Sequence, residues 1–144
     1  MSLIFVDPDG PEPEGLVIIV TCDTISIEPA NAVTLERLQE AVDGYIERVP
    51  LPEDLPITMW VNEDGVSRNL PKNHISSRFY MSVWRATGIE PSWPHLFGTA
   101  VFTLSTGGQH SGEDGPMDED VAHALAQKLV GPLGEGPPVE QNGA

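Results

Sequence analysis

Apolar and polar residues along this chain recur with two different periods, one typical of helices and one typical of strands. Between Thr34 and Gly44 the apolar residues are three or four positions apart, which predicts an amphipathic helix over residues 34–43. These apolar residues are Leu35, Leu38, Ala41 and Val42. Thr34 is a typical N-cap, and Gly44 is the residue type expected to end the helix in a left-handed conformation.

An extended segment and a hairpin are expected after this helix. Tyr45 to Val49 should be extended, because Pro50 and Pro52 prevent a helix from continuing. The β-branched and aromatic run Ile57–Val61 predicts a strand. The following residues Asn62 to Gly65 are typical of a tight turn, so that Val66 to Leu70 would return alongside the strand.

The N-terminal part predicts further strands. Leu3 to Val6 is expected as a short edge strand, followed by a proline-rich acidic loop. The most apolar run, Leu16 to Cys22, predicts a central strand, and Thr24 to Glu28 should extend it or pair with it. Cys22 continues the apolar face of the run. We therefore expect a core cysteine rather than a nucleophile, since no basic neighbour is present to lower its pKa.

Two more helices and one strand are expected in the C-terminal half. Residues 75–86 predict a helix with a broad apolar face that ends near Gly88. Residues 96–104 predict an internal strand, because both of its faces carry apolar residues. After a glycine-rich loop, residues 118–130 predict a third helix with acids in its first turn and Gly131 after its end.

These elements predict an α+β fold, a small antiparallel or mixed sheet with two or three covering helices. The sheet is expected to hold about four to six strands, a usual number for one sheet. The expected organisation is a single α+β domain over residues 1–110. A loop and a C-terminal helix extension over 111–133 and a disordered tail over 134–144 complete it.

Four sequence blocks appear in order along the chain, namely LERLQEAVDGYIERVPLP, WVNEDG, NLPKN and LFGTAVFTL. In this combination the chain resembles the family called domain of unknown function 3846, which is carried by bacteriophages, plasmids and their bacterial hosts. The matching positions are Gly44 to Glu47, Asn62 to Gly65, Leu70, Pro71, Asn73, Gly98, Ala100 and Val101. The resemblance covers residues 16–104. Ser111 to Ala144 are therefore expected to be a private extension, that is, a segment specific to this chain and not shared by the family. It implies no mechanism, because none is established for the family.

The charge of the chain narrows its possible partners. It has 22 acidic and 7 basic residues, a net charge of −15. A direct nucleic-acid partner is not expected, since phosphate binding depends on Lys and Arg. A membrane partner is not expected either, because no apolar run approaches the ~20 residues of a span and the start lacks the basic region of a secretion signal. One cysteine suits a reducing cytoplasm.

Two surfaces are candidates for binding a partner protein. Residues 73–110 hold one acid, two arginines and six of the nine aromatic residues, a composition typical of binding hot spots. Core packing of these aromatics is the simpler interpretation. The second candidate is the acidic start of the third helix, for which solubility is the simpler interpretation. The candidate partner-binding residues are Arg78, Trp84, Arg85, Trp93, Asp118, Glu119 and Asp120.

No catalytic motif or metal-ligand spacing is present, so neither a catalytic residue nor a metal or cofactor is predicted. We expect a small acidic accessory protein of a phage or mobile element that binds a host protein in the cytoplasm without catalysis. A basic nucleic-acid-binding protein is one such partner. Narrower versions of this predicted function are an inhibitor and a nucleic-acid mimic. The alternative is a small ligand-binding or catalytic domain with a pocket near Asn73, His74, Trp93 and His95.

Overall fold

The computed structural model describes residues 4–7, 9–10, 12–13, 15–93, 95–105, 114–131 and 137–141. Within these ranges the chain forms seven strands and three helices. The strands are β1 (Gly15–Val20), β2 (Ile25–Ala30), β3 (Ile46–Arg48), β4 (Ile57–Asn62), β5 (Ala100–Ser105), β6 (Asp114–Gly115) and β7 (Val139–Gln141). The helices are α1 (Leu35–Val42), α2 (His74–Arg85) and α3 (Glu119–Val130).

The strands form one mixed sheet in the order β3-β4-β5-β1-β2-β7, with β6 paired to β5 beside this path. All pairs are antiparallel except β2 and β7, which are parallel. The predicted α+β class and mixed sheet are confirmed. The sheet has one more strand than the upper limit expected, because the short strands β6 and β7 carry no clear hydrophobic period.

Helices cover both faces of the sheet. On one face α2 and α3 lie side by side over the larger apolar cluster, in which Phe79 of α2 and Leu125 of α3 are buried together with Ile18 and Phe102 of the sheet. On the other face α1 buries Leu38 and Val42 against a smaller cluster. The helix α3 therefore belongs to the main core. The division of the chain at residues 110 and 133 stays a prediction.

The helix α1 begins as predicted and ends one residue earlier than predicted. The hydroxyl of Thr34 accepts from the N–H of Arg37 and so caps the first turn. The left-handed residue at the other end is Asp43, at φ 59° and ψ 49°, and the prediction that Gly44 fills this position is wrong. Aspartate tolerates this conformation better than most residues, and Asn62 binds the carbonyl oxygen of Asp43.

The predicted return strand from Val66 to Leu70 is absent, and this part of the chain is a series of turns. The N–H of Arg68 donates to the carbonyl of Asp64 at 2.8 Å, and that of Leu70 donates to Gly65 at 2.9 Å. The reason lies in the sheet order. Strand β4 already has β3 on one side and β5 on the other, so no edge is left for a returning strand.

Other predicted strands are shorter than expected. Ile4 and Phe5 form a turn rather than an edge strand, and Leu3 lies outside the described residues. The last internal strand begins at Ala100 rather than at residue 96, because Gly98 adopts a φ of +79° that interrupts the pleat. In the tail, Val139–Gln141 form β7 instead of being disordered, whereas 134–136 and 142–144 lie outside the described part.

The described helices are too short or too polar to cross a membrane. Strand β1 ends at Val20, so Cys22 lies beyond it and is half-buried instead of continuing its core face. Burial raises the pKa of the Cys22 thiol, and the neighbouring carboxylate of Asp23 raises it further. A raised pKa disfavours the thiolate, and the prediction that Cys22 is not a nucleophile stays a prediction.

Candidate functional site

A groove of about 960 Å³ lies between α2, α3 and the β3–β4 connection. We call it the α2–α3 groove. One wall contains Phe79 and Val83 of α2, and the facing wall contains Val121 and Leu125 of α3. Leu55, from the β3–β4 connection, lies at one side. Val83 and Val121, one on each wall, are only partly buried, so apolar surface between the two helices stays open.

Arg78 fixes the two walls of this groove relative to each other. Its guanidinium donates to the carbonyl oxygens of Leu129 at 2.7 Å and Val130 at 3.1 Å. These carbonyls lie in the last turn of α3, where a cation is favoured by the helix dipole. The structure therefore gives Arg78, predicted as a partner-binding residue, a partly buried position as a link between helices.

Three carboxylates lie in or near the α2–α3 groove. Asp54 is part of its lining, and Asp118 and Asp120 lie one helical turn before the lining residues Val121 and Ala124. Asp118 also caps α3, since its carboxylate accepts from the N–H of Val121 at 2.8 Å. The lining residues that the structure describes include a single basic side chain, Lys128. The described lining is thus mainly apolar, with one acidic residue, Asp54, and one basic residue, Lys128.

The acidic start of α3 is exposed, as predicted from the sequence. Asp118, Glu119 and Asp120 are all exposed, and Glu119 pairs with His123 at 3.6 Å. Glu119 and His123 are four residues apart and share one side of the helix. The structure brings Asp118 and Asp120 beside a groove that the sequence analysis did not identify. Their role in binding stays a prediction.

The aromatic and arginine residues predicted to bind a partner are used mainly within the fold. The indole N–H of Trp84 donates to the carbonyl of Pro50 at 2.9 Å and so ties α2 to the β3–β4 connection. Arg85 pairs with Glu90 at 3.4 Å, and both side chains are more than half exposed. Trp93 is separate from them and lies in a second concavity.

This second concavity, which we call the Trp93 cleft, has a volume of about 340 Å³. Trp93 and Phe97 provide aromatic walls, and His95 lies between them in sequence. Two carboxylates, Glu47 from β3 and Glu63 from the turn after β4, also line it. Trp93 and His95 were predicted from the sequence as site residues, whereas Glu47 and Glu63 were not. Side chains alternate between the two faces along β3 and β4, and this alternation, continued to Glu63, was the sequence pattern that could have indicated these two residues.

The structure does not bring the four predicted pocket residues together. Asn73 is fully buried and caps α2, because its side-chain oxygen accepts from the N–H of Ser76 at 3.0 Å. Its amide nitrogen donates to the carbonyls of Val20 and Gly98 at 3.0 and 2.9 Å. His74 is exposed and does not line the cleft that contains Trp93 and His95. Asn73 is therefore a structural residue.

The described residues contain no group of three or more His, Cys, Asp or Glu side chains that is able to hold a metal ion. The chemistry available at both concavities is that of apolar contact, carboxylates and aromatic rings. Such surfaces bind cationic and amphipathic partners.

The comparisons with known proteins give a family and no closer relative. The model of the family described as Domain of unknown function (DUF3846) matches residues 1–127. This match is wider than the resemblance over residues 16–104 and includes most of α3, so the prediction that everything after residue 111 is a private extension is wrong. No curated protein and no solved structure matches the chain. Because the family model covers most of its length, the chain belongs to the DUF3846 family.

Proposed function

We propose that this protein acts by non-catalytic binding of a basic partner protein, and that the α2–α3 groove receives an amphipathic helix of that partner. The observation that carries the proposal is the groove itself, about 960 Å³ of mainly apolar space lined in part by Asp54, with Asp118 and Asp120 one helical turn before the lining residues Val121 and Ala124. An amphipathic helix that lays its apolar face in a groove is a recurring mode of recognition.

Size and burial support a helix as the occupant. A helix with its side chains is roughly 10–12 Å across, and a groove between two helices is the arrangement that receives such a cylinder. Phe79 and Leu125 are already buried at the base of the groove, whereas Ala86 and Ala124 at its rim are exposed. Small residues at the rim leave room for a partner helix to approach closely.

Charge supports a basic partner. The chain has a net charge of −15, and the acids at the start of α3 lie at one end of the groove. Long-range attraction between such a surface and a basic protein accelerates encounter, and it also disfavours acidic competitors. The apolar lining then supplies contact that charge alone does not provide.

The family resemblance supports the biological setting. We propose an accessory protein of a phage or mobile element that acts in the cytoplasm on a host protein, with an inhibitor as the narrower form. A nucleic-acid mimic is the extreme form, in which the acidic surface occupies the cleft of a DNA-binding protein. In each form the protein works stoichiometrically. Catalytic turnover of a small molecule, lost on changing His74 or His95, would contradict the proposal.

A designed peptide tests the groove before the natural partner has been identified. The probe is a fluorescent helix of about 18 residues, five turns, with leucines on one face and lysines on the other. The variant Ala124→Arg places a bulky cation in the groove at an exposed helical position. The matched control is Gln39→Arg on α1, which makes the same charge change on the opposite face of the sheet.

We expect the peptide to bind the unmodified protein. Ala124→Arg should weaken this binding at least ~10-fold, which corresponds to ~1.4 kcal/mol. Gln39→Arg should change the affinity less than ~2-fold. A scrambled peptide of the same composition separates docking from simple attraction, because it keeps the charge and loses the apolar face. Equal weakening by both arginine variants, or equal binding of the scrambled peptide, would contradict docking in the groove.

A further inference from the structure

We propose that the Trp93 cleft is a binding site for an organic cation, a guanidinium or primary ammonium group on a carrier of about amino-acid size. The cleft shares no lining residue with the α2–α3 groove, so this site is separate from the proposed helix-docking surface. Its four defining residues are Glu47, Glu63, Trp93 and Phe97.

The register of β3 and β4 places the two carboxylates on one face of the sheet. Glu47 is opposite Val61 in the antiparallel pair, and Glu63 is two residues beyond Val61. The N–H of Glu63 donates to the carbonyl of Tyr45 at 3.0 Å, so the pairing continues as far as Glu63. Diagonal neighbours of this kind have Cα atoms ~7–8 Å apart. Two like charges are thus held close together, and a cation between them relieves their repulsion.

The turn that carries Glu63 is held in place by hydrogen bonds of the neighbouring Asn62 side chain. The side-chain oxygen of Asn62 accepts from the N–H of Asp64 at 2.8 Å, and its amide group donates to the carbonyls of Val42 and Asp43. Gly65 packs so closely on Phe97 that an added Cβ would lie 3.2 Å from the Cβ of Phe97. The backbone at Glu63 is therefore set before any ligand arrives, which reduces the entropy lost on binding.

The aromatic walls are also held in place. The backbone N–H of Trp93 donates to the hydroxyl of Tyr80 at 3.1 Å, and the ring centroids of these two residues lie 6.3 Å apart. Phe97 is paired with Lys72 through an isolated bridge, and its ring is 6.4 Å from that of His95. Trp faces are the strongest aromatic partners of a cation. Fixed rings beside two carboxylates form a cage suited to a positively charged group.

Size and sign define the ligand class. Among the described residues that line the cleft none is Lys or Arg, and the two carboxylates outnumber the single histidine, His95. Its volume of about 340 Å³ is near the lower end of small-molecule sites, ~300–1,000 Å³. An arginine or lysine side chain of a protein and a free aliphatic amine share the required chemistry. The two sources are distinguished by the choice of probe.

The test is calorimetric titration of the full chain with three probes. N-acetyl-arginine methylamide represents a protein side chain, 1,4-diaminobutane represents a free amine, and the neutral N-acetyl-citrulline methylamide has nearly the shape of the arginine probe. The double variant Glu47→Gln/Glu63→Gln removes the two carboxylates of the cleft. The matched control Glu36→Gln/Glu40→Gln removes two exposed carboxylates from α1.

We expect at least one cationic probe to bind, the citrulline probe to bind at least ~10-fold more weakly, and the cleft double variant to lose at least ~10-fold in affinity while the control loses less than ~2-fold. Trp93→Leu should weaken binding ~2–5-fold, the contribution of one exposed cation–π contact. Tighter binding of the arginine probe assigns the site to a protein side chain, and tighter binding of the diamine assigns it to a free amine. Equal binding of the citrulline probe, equal losses in both double variants, or no binding of either cation would overturn the proposal. The peptide assay at the α2–α3 groove is independent of these results.

Discussion

The guanidinium of Arg78 on α2 donates a hydrogen bond of 2.7 Å to the main-chain carbonyl of Leu129 on α3. One side chain thus joins the two helices that form the walls of the groove. The same side chain also binds the carbonyl of Val130 at 3.1 Å, so two of the carbonyls left over at the end of α3 are satisfied by one charged donor.

Replacing Arg78 should therefore loosen the groove and destabilise the fold. Arg78→Met keeps much of the aliphatic stem and removes both hydrogen bonds, each of the kind worth ~1.5–3 kcal/mol when the donor is charged. We expect a loss of at least ~2 kcal/mol in the free energy of unfolding, measured in urea. The control Arg85→Met removes an exposed ion pair and should cost ~0–1 kcal/mol. Equal effects of the two changes would show that the Arg78 link contributes little.

Asn73 should be far more sensitive to substitution than its neighbour His74. Asn73→Ala leaves the carbonyls of Val20 and Gly98 and the N–H of Ser76 without their partner. Unsatisfied buried polar groups cost ~1–3 kcal/mol each, so we expect a loss of at least ~3 kcal/mol. His74→Ala, at an exposed position, should stay within ~0.5 kcal/mol. Thermal melting of both variants measures the difference. An unchanged melting temperature of Asn73→Ala would show that its buried hydrogen bonds contribute little.

The smaller apolar cluster under α1 should depend on Leu38 and Val101. Leu38 is 4% exposed and Val101 is fully buried. Leu38→Ala should cost ~2–5 kcal/mol, and Val101→Asp should unfold the domain because it buries an unpaired charge. Leu35 was expected on the same apolar face but is 54% exposed, so Leu35→Ala serves as the control and should cost little. Far-ultraviolet circular dichroism with heating distinguishes these outcomes, and three equal melting temperatures would mean that the faces of α1 are assigned wrongly.

The sequence predicted the fold well wherever local chemistry and the hydrophobic period agreed. The caps Thr34, Asn73 and Asp118 each lie where an oxygen-bearing side chain precedes an apolar period, and all three helices begin there. The strand β5 is internal, as its two apolar faces indicated.

The prediction failed where long-range pairing decides the conformation. Val66 has a strand-like residue type but is 74% exposed in a turn, because β4 has neighbours on both sides. Likewise β7 depends on the edge of β2, which lies more than a hundred residues away in the sequence. The candidate sites were only partly predictable for the same reason. Trp93 and Asp118 were named, whereas the groove between α2 and α3 is a product of how two helices pack.

The acids at the start of α3 should control how fast a partner arrives. Changing Asp118, Glu119 and Asp120 together to their amides keeps a good cap at position 118 and removes three charges. We expect the association rate of the lysine-faced peptide to fall more than its dissociation rate rises. The effect should shrink between about 0.05 and 0.5 M salt, since the screening length is ~10 Å at 0.1 M. Stopped-flow fluorescence measures both rates, and an effect confined to dissociation would contradict electrostatic steering.

The location of binding is most directly measured by the amide chemical shifts of isotope-labelled protein during titration with the lysine-faced peptide. If a partner helix docks as proposed, the largest changes will occur along α2 and α3, at Val83, Val121 and Ala124 and at residues one turn away. Amides of α1 on the opposite face of the sheet, including Gln39, should remain unchanged. Shifts around Trp93 without changes along α2 and α3, or shifts spread evenly over all acidic surfaces, would contradict docking in the groove.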